Sequence, residues 1–209
     1  MKLVELTVKD FMDELASSSP APGGGSIAAL ESGYGVSLLA MVANLTLGRK
    51  KYADYQSLAE ETEKKAQLLK ESLLTLVDED TEAYNTVAAA YKLPKETDEE
   101  KAYRKEQIQQ GLKGSCQPPL KVIELSAQGL ALIDETCRNL NQSCLSDVYV
   151  GVSSLRTGLN GAYANVLINL SGIEDEQYVR ETREQTQAIV EHNNALADRL
   201  MEELMEKLG

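Results

Sequence analysis

Between Ala59 and Ala90 the residues Ala59, Thr62, Ala66, Leu69, Leu73, Leu76, Asp80, Ala83, Val87 and Ala90 follow one another at alternating spacings of three and four. Only an α-helix puts such positions on one face. The stretch therefore reads as one helix of about nine turns, with a seam turned towards a partner. A seam of that length is buried most simply against other helices, which constrains the whole chain. The five prolines, at 20, 22, 94, 118 and 119, fall between helical stretches rather than inside them. We expect helices over Val8 to Ala16, Ser26 to Leu47, Asp54 to Tyr91, Asp98 to Lys113, Gln117 to Cys137, a stretch capped by Ser143 to Ser146 and ending near Leu170, and Glu174 to Leu208. No linker is long enough to mark a second domain, and no internal repeat is visible. The fold class read from the residues is all-α, a single-domain bundle of long antiparallel helices over residues 1–209.

The segment Ser26 to Leu47, SIAALESGYGVSLLAMVANLTL, is apolar enough to raise the question of a membrane span. Glu31, Asn44, three serines and two glycines argue instead for a buried central helix. Its small residues Ala29, Gly33, Ser37 and Ala40 recur every three or four positions, so another backbone can come close. Asp147, Gly151, Ser154, Gly158, Gly161 and Asn165 form a similar thin stripe on a later helix. That stripe serves either close packing, against a neighbouring helix or a second copy, or access to a ligand groove lined by its polar members.

With 21 Lys and Arg against 33 Asp and Glu the net charge is −12, which argues against nucleic acid and anionic membranes as partners. The N-terminal stretch MKLVELTVKDFMDEL places acids inside its first apolar segment, unlike a signal peptide, and we expect a cytoplasmic protein. Cys116, Cys137 and Cys144 lack metal-type spacing and read as free buried thiols. A single histidine, His192, excludes sites that need two or more imidazoles. Flanked one turn away by Ile189 and Leu196, it reads as a packing or interface residue. Carboxylates, hydroxyls, amides and lysines remain for chemistry.

Among these, Asp80 stands in the seam. Its neighbours Asp78, Glu79 and Glu82 lie off it and read as a solvated face. A desolvated carboxylate is disfavoured unless paired or protonated, and its pKa rises towards the range where it exchanges protons near neutrality. Asp80 is thus either a functional acid or base, or a carboxylate satisfied by a lysine or backbone donors. Tyr84, one turn on, is placed to orient it. A second unusual stretch is Ser19-Pro-Ala-Pro-Gly-Gly-Gly-Ser26. Pro20 and Pro22 favour an extended approach, Gly23, Gly24 and Gly25 remove every side chain, and Ser26 is placed to cap the helix that follows. Free amides at such a helix start can receive an anion or a carbonyl oxygen.

SPAPGGGS at 19–26, LGRKKY at 47–52, LVDEDTEAYN at 76–85, KLPK at 92–95, SD at 146–147 and GAYANVLINL at 161–170 occur in the order found in the formiminotetrahydrofolate cyclodeaminase family, which the chain resembles over nearly its whole length. That family includes stand-alone methenyltetrahydrofolate cyclohydrolases. Gln117-Pro-Pro119 and Gly151-Val-Ser153 depart from its usual pattern. The resemblance implies a homodimer that takes a tetrahydrofolate derivative as substrate and uses no metal. It implies catalysis by the aspartate matching Asp80, and a folate pocket whose wall opposite Asp80 is Pro22, Gly23, Gly24, Gly25 and Ser26, with Tyr84, Asp147 and Asn165 also in contact. Arg49 and Lys50 serve either the anionic glutamate tail or the dipole of the helix they follow. Asp147 serves either the pterin or its own helix's first turn. Three functions remain open: a cyclodeaminase converting 5-formiminotetrahydrofolate to 5,10-methenyltetrahydrofolate and ammonia, a methenyltetrahydrofolate cyclohydrolase, and a non-catalytic folate-binding or scaffolding dimer.

Overall fold

The computed structural model describes residues 2–209. The described residues fold into one bundle of seven α-helices: α1 Val8–Leu15, α2 Gly24–Asn44, α3 Gln56–Tyr91, α4 Asp98–Ser115, α5 Gln117–Thr136, α6 Leu145–Leu170 and α7 Glu176–Leu208. Local signals set several ends. Thr7 caps α1, Thr97 and Glu100 form a capping box on α4, and Asp175 caps α7. Pro118 and Pro119 sit in the first turn of α5, where their missing N–H groups lose no helical bond.

The α2 helix is the centre, packed against α3, α5 and α6. It is long and apolar enough to cross a membrane, and most of its apolar surface is buried inside the bundle. Its contact with α6 is a backbone contact. A Cβ on Gly35 would stand 2.7 Å from the Gly151 carbonyl oxygen, and one on Gly158 would stand 2.5 Å from the Ala28 carbonyl oxygen and collide with the Ser32 hydroxyl. The middle of the α6 thin stripe therefore serves packing. Leu155, fully buried, occupies the space that the missing side chains of Gly35 and Gly129 leave. Burying one such leucine contributes about 1.5–3 kcal/mol.

Polar groups tie the layers together. The Ser32 and Ser126 hydroxyls meet at 2.7 Å inside the α2–α5 contact. At the other end of α2, the Asn141 amide donates to Thr46 Oγ1 at 2.9 Å, Asn141 Nδ2 donates to the Leu45 carbonyl at 3.0 Å, and the Gln142 amide donates to the buried Tyr52 hydroxyl at 2.9 Å. This clasp joins the α5–α6 connection to the residues after α2.

Four expectations are corrected. Ser26 does not cap α2, because Gly23 is the N-cap and the helix takes in Gly24 and Gly25; the serine hydroxyl is used elsewhere. The α2 helix ends at Asn44, so Arg49, Lys50 and Lys51 lie beyond its last turn, at the start of a 3-10 segment Lys50–Tyr55. Asp78 is half-buried rather than solvated and accepts a 2.6 Å hydrogen bond from the Leu3 amide, which holds the N-terminal segment on α3. His192 is exposed, since the buried stripe of α7 runs through Thr186, Val190, Asn193, Ala197, Leu200 and Leu204. All three cysteines are free and buried, as expected.

Gly158→Ala is expected to destabilise the protein by about 1–3 kcal/mol in urea unfolding, because the backbones of α2 and α6 must separate. Gly114→Ala, where a Cβ meets nothing within 4 Å, should leave stability unchanged or raise it by up to about 1 kcal/mol.

Candidate active site

The α3 seam is buried from Ala59 through Leu76, and its burial lapses at Asp80, Ala83 and Val87. At that point the first turn of α2 lies across α3. A Cβ on Gly25 would overlap Asp80 Oδ1 and stand 2.5 Å from its Cγ. Glycine is thus required there for the carboxyl group to rest against the helix backbone. Ser26 Oγ donates to Asp80 Oδ2 at 3.1 Å and lies 3.3 Å from Thr81 Oγ1. On the other side, a Cβ on Gly24 would stand 3.4 Å from Asn165 Nδ2, whose amide is fixed by donation to the Gly161 carbonyl at 2.8 Å. Gly24 itself is exposed, so the start of α2, Asp80 and Asn165 form one solvent-reachable site at this end of the bundle.

Burial raises the Asp80 pKa above its ordinary value, and hydrogen bonds from the Ser26 hydroxyl and amide pull it partly back. No cation contributes, so Asp80 is held by a hydroxyl and by the amide end of a helix, where negative charge is favoured. Such a carboxyl group can hold a proton, release it, and face a developing positive charge. Among the described residues no three His, Cys, Asp or Glu side chains cluster as ligands for a metal ion.

The remaining expected residues divide. Pro22 is buried, while Gly23 is half-buried at the N-cap. Tyr84 is exposed one turn beyond Asp80 and makes no hydrogen bond to it. Arg49, Lys50 and Asp147 are not in this site within one chain. Helices α2 and α6 run antiparallel, with Gly24 beside Asn165 and Gly35 beside Gly151. Asp147 and Arg49 therefore sit together near Cys144, about 30 Å away along 21-residue α2. Asp147 occupies the first turn of α6, where its charge suits the helix dipole.

Thr81 and the Asp78 anchor belong to the neighbourhood and were not anticipated. Thr81 follows Asp80 directly, whereas the Leu3–Asp78 bond spans 75 positions and leaves no mark in the sequence. An apolar cavity of about 260 Å³ lies under the N-terminal segment, between Phe11, Leu30, Tyr34, Leu74 and Val77, and includes neither Asp80 nor Asn165.

The Asp80 pKa has a consequence for stability. The folded value exceeds the unfolded one, so the fold favours the protonated carboxyl group; that contribution is fully present below the ordinary pKa of 3.8 and is lost as pH rises through the folded value. Asp80→Asn should therefore be more stable than wild type at pH 7, with the difference vanishing in acid, as thermal melts across pH will show. Ser26→Ala removes a group that lowers this pKa, so any activity needing the ionised carboxylate should lose its acid limb at a higher pH than in wild type.

Residues 7–188 match the formiminotransferase-cyclodeaminase family. The methenyltetrahydrofolate cyclohydrolase of Methylorubrum extorquens is 35% identical over 203 residues, 97% of this chain and 98% of that protein. The formimidoyltransferase-cyclodeaminase of Rattus norvegicus is 35% identical over 189 residues, 90% of this chain but only 35% of that longer protein. The crystal structure of formiminotetrahydrofolate cyclodeaminase from Thermotoga maritima superposes with a TM-score of 0.83 at 25% identity, covering 98% of this chain and 100% of that one. By sequence along most of its length and by fold, the chain belongs to the formiminotransferase-cyclodeaminase family.

Proposed function

We propose that the protein is a 5-formiminotetrahydrofolate cyclodeaminase in which Asp80 moves the protons. The observation that carries this reading is the carboxyl group of raised pKa laid against the side-chain-free first turn of α2. In the reaction N10 of the folate attacks the carbon of the protonated formimino group on N5, forming the N10–C bond as the C=N double bond becomes single and leaves an NH2 group on the adduct. Asp80 takes the N10 proton and returns it to the nitrogen of the tetrahedral adduct. The C–N bond to that nitrogen then breaks, ammonia leaves, and the 5,10-methenyl cation remains beside the carboxylate. Neither step requires an imidazole. Gly24, which is exposed, lets a flat pterin approach the backbone, Gly25 makes room for the Asp80 carboxyl group, and Asn165 offers an amide across from Asp80.

A second reading, methenyltetrahydrofolate cyclohydrolase, is favoured by the Methylorubrum relative that matches end to end. It uses the same site with water as nucleophile: Asp80 accepts one proton of the water as the C–O bond forms and gives it to the nitrogen of the C–N bond that opens, while the remaining hydroxyl proton is released to solvent as the C=O bond forms.

The protein acts as a homodimer in this proposal. Tyr34 and Met41 of α2 and its C-cap Leu45 are exposed at 48, 36 and 39%, an apolar row on a helix already buried on its other faces. Two copies pairing antiparallel through this row would bring the Arg49–Lys50 end of one chain beside the Gly23–Ser26 end of the other.

Purified protein given 5-formiminotetrahydrofolate should release ammonia and gain methenyl absorbance. Hydrolysis of methenyltetrahydrofolate without ammonia release would select the second reading, and inactivity on both would leave a folate-binding protein. Asp80→Asn should keep folate affinity within a few-fold and lose about 10²–10⁴-fold in kcat; a wild-type rate removes Asp80 from the mechanism. Gly25→Ala, which displaces the carboxyl group, should lower kcat by about 10²-fold.

A further inference from the structure

Beyond the first turn of α3, its hydroxyl groups follow one habit with one exception. Thr62, Ser72, Thr75 and Thr86 each donate to the carbonyl four residues back, at 2.7, 3.0, 3.1 and 3.0 Å, as serine and threonine inside a helix commonly do. Thr81 does not. Its Oγ1 lies 3.3 Å from Ser26 Oγ on α2, and its proton is not given to its own helix. Ser26 departs from the same habit: Ser37 of α2 donates to the Gly33 carbonyl at 2.7 Å, whereas the Ser26 hydroxyl turns across to Asp80 Oδ2 at 3.1 Å. Two hydroxyl groups have thus left their helices to meet beside one carboxyl group.

A hydroxyl carries one proton and can also accept from a donor. While Asp80 is ionised the Ser26 proton is committed to Oδ2, so the contact between the two hydroxyls can be made only with the threonine's proton. Ser26 is fully buried, at 0% exposure, and its second partner must therefore come from the protein. The three groups then form a chain from Thr81 through Ser26 to Asp80, in which each donation polarises the next. Once the carboxyl group is neutral, the serine proton can turn to Oδ2 or to Thr81 Oγ1, and the chain loses its direction. Thr81 therefore favours the charged form in particular.

Resting on the proton-carrying role proposed for Asp80, we infer that Thr81 is a positioning residue, whose hydroxyl donates to Ser26 Oγ and so keeps the serine's single proton aimed at the Asp80 carboxylate. No other charge takes this part. The titratable groups on the elements packed around this turn are carried by Glu5 in the N-terminal segment, Glu31 on α2, Asp78, Glu79, Glu82 and Tyr84 on α3, Lys113 on α4 and Tyr163 on α6. None of them acts on Asp80, whose ionisation answers to burial and to Ser26.

The test follows the Asp80 carboxyl group itself, by NMR of protein isotope-labelled at its aspartate carboxyl carbons, with the signal assigned by its loss in Asp80→Asn. Thr81→Val keeps the side-chain shape and removes the hydroxyl. Because the charged form loses its support, the titration midpoint should rise by about half a pH unit. Thr81→Ala should do the same, and Thr81→Ser should titrate as wild type. Ser26→Ala should raise the midpoint further, and adding Thr81→Val to it should change nothing more, since no serine hydroxyl remains to be directed. With the folate that is turned over, the acid limb of kcat/KM should move in the same order. That order of midpoints without turnover of any folate supports the inference and fails the enzymatic reading alone. A wild-type midpoint in both Thr81→Val and Thr81→Ala, or an equal shift by Thr81→Val in the wild-type and Ser26→Ala backgrounds, overturns the inference.

Discussion

The close approach of α2 to its neighbours is the contact on which the rest of the structure depends. Where Gly35 meets Gly151, and two turns away where Gly158 meets the Ala28 carbonyl, the α2 and α6 backbones touch without intervening side chains, and Leu155 fills the space beside Gly35. That contact fixes the height of α2 in the bundle. Its first turn is thereby set over α3 at Asp80, with no room for a Cβ at Gly25. Packing in the middle of α2 and chemistry at its tip are two results of one thin helix, and a shift of about an ångström at the first is felt at the second.

The Asp80 environment balances two opposed effects. Desolvation favours the neutral acid, while Ser26 and the amide end of α2 favour the anion. Because no lysine or arginine joins them, neither form is locked. A proton carrier that must be charged in one step and neutral in the next benefits from such opposed effects. The same arrangement leaves a carboxylate free to face a cation formed in the site.

Much of this was legible in the sequence because helices announce themselves by period. The α3 helix, its seam as far as Leu76 and the prolines at joints all follow from spacing alone and hold in the structure; beyond Leu76 the seam opens to solvent at Asp80, Ala83 and Val87. What sequence could not provide was which end of each helix meets which. Arg49, Lys50 and Asp147 looked compatible with the Asp80 site until the antiparallel run of α2 and α6 placed them at the opposite end. Ser26 had the right chemistry for a cap, but two glycines also fit inside a helix start, so the helix began earlier and the hydroxyl turned to Asp80. The cations of α4 follow no spacing that marks them out; only the fold of the α6–α7 turn against them makes a cavity.

The bond from the Leu3 amide to Asp78 ties the start of the chain to the helix turn that carries Asp80. The other terminus lies elsewhere: Glu203, near the end of α7, pairs with Arg138 just past α5, on the side of the bundle where the Thr46–Asn141 clasp sits. The two ends of the polypeptide are therefore unequal as attachment points. A fusion partner or affinity tag on the amino end hangs beside the Asp80 site and strains its anchor, whereas one on the carboxyl end is separated from that site by the length of the bundle.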